Sequence, residues 1–301
     1  MRLLKKRETI IENIAYMGIM ASINIIFVVL TYFVPFLLFV LVFILPLCSA
    51  IISYYCKKVY FPIYLVVVSA VCLLIDMSDT IFYVIPSLIT GFFFGLLIDK
   101  KIPSIFIIVA ITVVQFGLSM ASIPLIQLIT KRNIVDDMAA IFKLSEFEYL
   151  GYVKYTFIYF IAFVQTILSF IVMHSELNKF GIAFIDKTKR VYLLDIATLV
   201  CVGLSVLFGF LIPEFSFIPL LTSLMFMVGR LMLLNYCYYK LYLIELGIIF
   251  FGSIFFVALI YSKLTVPLGL LTFGVFPTLI SFACLINNCL LSKRNKDTII
   301  E

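Results

Sequence analysis

Apolar runs fix what this chain can become. Ten can be drawn, at about 11–31, 34–55, 59–75, 80–98, 102–129, 151–175, 191–212, 216–236, 241–262 and 265–291. A helix of roughly 20 apolar residues crosses the hydrocarbon core of a bilayer. Hydrophobic residues make up 64% of the chain, and charged residues only 13%. A soluble domain carries about 25% charged residues and cannot hide this much apolar surface. The expected fold is therefore all-α, a polytopic transmembrane helical bundle of about ten spans. The third run is short and the fifth long, so tilt or re-entry would alter either.

Placement of the basic residues orients the spans. With the N-terminus inside, sixteen of the 22 Lys and Arg residues fall in inner segments. Five fall outside: Lys131, Arg132, Lys143, Lys154 and Lys263. Arg230 remains within a span. Inner loops of membrane proteins carry such a basic excess, so both termini are expected in the cytoplasm. The opening "MRLLKKRETIIENIAYMGIM" is basic and then apolar, like a signal peptide. Its apolar part continues to Leu30 and a second span follows at once, which reads as an uncleaved first span. The net charge of +6 is spent on topology. No soluble segment carries a basic stripe with interleaved aromatics, so nucleic acid is not an expected partner.

Two connections are long. The outer one, "TKRNIVDDMAAIFKLSEFEYLG", places Ile134, Met138 and Phe142 at four-residue steps. It reads either as a helix lying on the membrane face or as a solvated linker. The inner one, "HSELNKFGIAFIDKTKR", is basic and separates six spans from four. The expected division is a six-span domain over 1–178, a basic cytoplasmic connection over 179–190 and a four-span domain over 191–301.

Three charged residues lie inside the last four spans: Asp195, Arg230 and Glu245. A guanidinium alone in hydrocarbon costs about 3 kcal/mol or more. At ~1.5 Å per residue, all three sit at similar depths from the inner face. They form a candidate intramembrane charge cluster, in which Arg230 pairs with Asp195 or Glu245 to clamp helices. The other readings are an ion path and an arginine that snorkels to headgroups.

Asn24, Gln115, Gln127 and Gln165 fall in the first six spans, where amides usually bond to neighbouring helices. Asp76 and Asp79 flank a short outer loop. Asn24, Asp79, Tyr83, Gln115 and Ser119 are the candidate substrate-binding residues. Small residues mark two close-packing faces. Gly18, Ala21 and Ser22 in the first span form a candidate docking face, and Gly91 and Gly95 lie four apart in the fourth. Seven scattered cysteines read as small buried hydrophobes, and with one histidine a histidine-based metal site is not expected. GxxxxGK[ST], HExxH and GxSxG are absent, so neither a catalytic residue nor a cofactor is expected.

The order "GIMASINIIFVVLTYFVP", "FILPLCSAIISYYCKK", "PSLITGFFFGLLIDKK", a polar outer insert and "MHSELNKFGI" resembles the YybS-like family of bacterial multi-pass membrane proteins. The first six spans are also similar to the S components of energy-coupling-factor transporters. That likeness implies the bacterial cytoplasmic membrane and a small solute bound from outside. It further implies partners: the lipid bilayer, a transmembrane coupling subunit docking on Gly18, Ala21 and Ser22, and separate ATPases. The four further spans and the Arg230 group have no counterpart in an S component. The rival expectation is a non-transporting membrane scaffold for envelope, division or sporulation assembly.

Overall fold

The computed structural model describes residues 6–34, 37–131, 150–179, 182, 192–232 and 274–297. All regular structure among them is helical. Four helices are long and apolar enough to cross a membrane, over Ile10–Thr31, Ser104–Ile129, Tyr155–Lys179 and Tyr192–Leu211. Shorter apolar helices cover Ile44–Tyr55, Lys58–Leu73, Ile85–Asp99 and Val275–Ile286. The outer insert over 132–149, most of the connection over 179–190 and the ninth run over 241–262 lie outside the described residues.

The chain groups into two compact units. The first holds Met1–Ser145 and Ile158–Asp186, and the second Glu146–Phe157 and Lys187–Glu301. In the first unit the helices are α1 (Ile10–Phe33), α2 (Leu38–Tyr55), α3 (Phe61–Leu73), α4 (Ile85–Asp99), α5 (Ser104–Thr130) and most of α6 (Leu150–Lys179).

Local chemistry sets the helix starts. Thr9 caps α1 through a reciprocal box. The Glu12 N–H donates to Thr9 Oγ1 at 3.2 Å, and the Thr9 N–H reaches Glu12 Oε2 at 3.5 Å. These bonds satisfy two N–H groups that a helix start leaves open. Asp76 caps the next turn by accepting from the Asp79 N–H at 2.8 Å. That turn, Met77–Asp79, passes through a π-helical stretch, Thr80–Val84, directly into α4. End to end they give a helical rod of about 34 Å at ~1.5 Å per residue, although α4 alone is short.

α2 and α4 make the most extensive helix contact in the first unit. Two glycines permit it. A Cβ placed on Gly91 would lie 2.6 Å from Pro46 Cα, with the Pro46 carbonyl oxygen closer still. One on Gly95 would lie 2.7 Å from Ser53 Cβ and would overlap the Ala50 carbonyl oxygen. Backbone meets backbone at both points, so neither clash is relieved by a side-chain rotation. Around this seam Leu45, Ile52, Val68, Leu88, Phe94, Ile111 and Met173 fill the core. Outward faces carry exposed Ile26, Phe33, Val66, Val113, Leu168 and Ile171, as helices surrounded by lipid would.

The second unit contains α7 (Tyr192–Leu211), α8 (Phe217–Met232) and α9 (Val275–Asp297). α7 packs along α8 and, less extensively, along α9. Met227, Ile280 and Cys284 form a small core with Leu224 and Phe276. The Tyr155 and Phe215 rings stack at 4.6 Å.

Gly91→Ala and Gly95→Ala should each destabilise the first unit by about 1–3 kcal/mol, the usual cost of overpacking. Gly18→Ala should be tolerated, because a Cβ there meets no atom within 4 Å. Thermal midpoints of the three variants in detergent check this. Equal midpoints for all three would show that α2 and α4 do not rely on the glycines.

Candidate functional site

A polar layer crosses the first unit halfway along its helices. Thr90, Gln115 and Gln165 each sit near the middle of α4, α5 and α6. Thr90 and Gln115 are buried and Gln165 is half-buried. Thr90 Oγ1 lies 2.6 Å from the Pro86 carbonyl and 2.5 Å from Gln115 Oε1. Its single proton is therefore contested by two acceptors. Gln115 Nε2 donates to Gln165 Oε1 at 3.3 Å. None of these three side chains is ionisable. Amide and hydroxyl both donate and accept, so they suit an uncharged polar group.

The other candidate binding residues lie elsewhere. Asn24 Nδ2 donates to Tyr64 Oη at 2.6 Å, joining α1 to α3. Asn24 Oδ1 is buried and has no hydrogen-bond partner among the described residues. Ser119 is half-buried, and its carbonyl accepts from Ser122 Oγ at 2.9 Å. Asp79 and half-buried Tyr83 lie just before α4. Asp79 keeps contact with solvent, yet partial burial and then the charge of Asp76 raise its carboxyl above the ordinary value. Hydrogen bonds thus tie Asn24 and Gln115 to different neighbours.

The docking trio also divides. Ala21 is buried, whereas Gly18 and Ser22 are exposed. Ser22 Oγ donates back to the Gly18 carbonyl at 3.0 Å.

In the second unit Arg230 Nε donates to Asp195 Oδ2 at 3.2 Å. The side chains are only 7% and 1% exposed. Asp195 lies in the first turn of α7 and Arg230 in the last described turn of α8. Asp195 Oδ1 has no hydrogen-bond partner among the described residues. Glu245 lies outside the described residues.

One cluster had no signal in the apolar pattern. Asn13 is fully buried near the start of α1. Its Nδ2 donates to the Thr9 carbonyl at 2.6 Å, and its Oδ1 accepts from the Lys57 N–H at 2.8 Å. The Arg7 N–H donates to the Tyr55 carbonyl at 2.8 Å. Asp99, one residue past the fourth apolar run, receives Lys6 at 3.0 Å and Lys58 at 2.9 Å. A basic rim thus ties the N-terminal segment, the α2–α3 junction and the end of α4 together. Among the described residues, no group of three His, Cys, Asp or Glu side chains is placed to hold a metal.

Comparison with protein-family models, with curated proteins and with solved structures finds no match.

Partial burial alone would raise the Asp99 carboxyl, but the Lys58 and Lys6 hydrogen bonds and charges outweigh it and hold the carboxyl low. A carboxyl held low in the folded state stabilises above its unfolded value, and that gain fades as pH falls through the folded one. Asp99→Asn should lower the thermal midpoint at neutral pH by an amount worth about 1 kcal/mol, as for partly exposed pairs. The gap between parent and variant should close as pH drops below the ordinary value of 3.8. Melting curves over that range check this, and a gap that stays constant would contradict the ion-pair account.

Proposed function

We propose that the chain is a transport-related integral membrane subunit, in which the first unit binds a small solute and partner subunits supply the energy. The observation that supports this reading is the Thr90–Gln115–Gln165 layer. Polar groups at the midpoint of apolar helices are costly, and they are common where a solute crosses. The S-component likeness of the first six spans points the same way. In this reading about ten spans cross the bacterial cytoplasmic membrane with both termini inside, and the shorter helices join the four long ones as spans. This reading assigns Asn24, Asp79, Tyr83 and Ser119 to solute binding together with Gln115. Exposed Gly18 and Ser22 face a transmembrane coupling subunit, and ATPases act from the cytoplasm.

A second reading is a non-transporting scaffold for envelope, division or sporulation assembly. The bonds that Asn24 and Gln115 make to neighbouring helices favour it, because polar groups used this way hold helices together.

A tagged pull-down from gently solubilised membranes, read by mass spectrometry, separates the two. The transport reading expects ATP-hydrolysing subunits together with a transmembrane subunit. It also expects a small nutrient to raise the thermal midpoint of the parent and not of Gln115→Ala. Envelope or division proteins alone, with no stabilising solute, would move the assignment to the scaffold.

A further inference from the structure

An apolar groove of about 220 Å³ lies between α1 and α3 on the first unit. Met17, Gly18 and Ala21 line one side, and Tyr60, Ile63 and Val67 the other. The groove is open at Gly18, where a Cβ would meet nothing within 4 Å. Its rims remain exposed, with Ile63 at 56%.

One end of the groove carries charge. Lys57 donates its N–H to Asn13 Oδ1 at 2.8 Å, and Asn13 directly precedes Ile14, which also lines the groove. The Tyr60 N–H donates to the Lys57 carbonyl at 3.1 Å. The Lys57 backbone is therefore held where α1 and α3 both begin, three residues before the lining residue Tyr60. Its side chain is exposed and makes no ion pair among the described residues, whereas its neighbour Lys58 is held by Asp99. From Ile14 to Ala21 the groove runs about 10 Å along α1 at ~1.5 Å per residue. That is less than half of the ~30 Å hydrocarbon core, so it stays within one leaflet.

We propose that this groove takes one acyl chain of an anionic phospholipid, with the phosphate against the Lys57 ammonium. An apolar slot with an exposed lysine on the turn at its interfacial end suits the first part of an acyl chain and the anionic headgroup above it. Basic residues at a membrane surface attract anionic headgroups, and the apolar lining supplies nothing that a polar solute needs. The inference does not rest on the transport reading. A coupling subunit that used the Gly18 face would have to displace the chain.

The sequence contains no tryptophan, so one introduced residue reports alone. Ile63→Trp would be placed in phosphatidylcholine vesicles containing phosphatidylglycerol, with brominated chains on one lipid or the other. Phe160→Trp, on an exposed face of α6 in the same unit, serves as the control. At Ile63→Trp, brominated phosphatidylglycerol should quench with about a fivefold preference over brominated phosphatidylcholine. Adding Lys57→Gln should abolish the preference, and Phe160→Trp should show none. Equal quenching by the two lipids at Ile63→Trp would overturn the proposal, as would a preference that survives Lys57→Gln. So would absence of quenching there while Phe160→Trp is quenched, which would mean that a second copy or another protein covers the groove.

Discussion

A polar group inside an apolar bundle has no water to fall back on, so it must find its partner within the protein. Both units are organised by that constraint. In the second, Arg230 and Asp195 neutralise each other across α7 and α8. In the first, Thr90, Gln115 and Gln165 link α4, α5 and α6, and Asn24 with Tyr64 links α1 to α3. Apolar packing alone does not choose between neighbours in lipid, because a leucine gains little by leaving one apolar surface for another. Pairing of the few polar side chains supplies the missing specificity.

Close backbone approach is the second source. Van der Waals packing drives helices together in an apolar medium, and small residues let it act at short range. Gly91 and Gly95 bring α4 onto the backbone of α2 at Pro46 and Ala50. Gly18 has the same chemistry and the opposite role, for it faces open space and lines a groove. Spacing in the sequence does not separate these cases; the neighbouring helix does.

Legibility followed the physics. The helical class was readable because long apolar runs leave few other folds. Arg230 announced the need for a partner, and the depth of Asp195 made it a candidate. Gln115 was conspicuous, but its link to Thr90 was not, since a threonine in an apolar run gives no signal and helix neighbours are a non-local property. Tyr64 was hidden because a tyrosine counts as apolar in such a run, although its hydroxyl answers Asn24. Asn13 and Asp99 were missed for a different reason. They sit at helix ends, where polar residues are ordinary, and only the meeting of three segments gives them a role.

The central claim is that buried polar side chains hold the helices in specific pairs. The most direct measurement is a double-mutant cycle on Arg230→Met and Asp195→Leu, read as unfolding free energy in detergent micelles. The account predicts that each single change costs about 3–5 kcal/mol, because it strands a buried charge, and that the double change costs far less than the sum. Strictly additive losses would mean that Arg230 and Asp195 act independently, and the pairing account would fail.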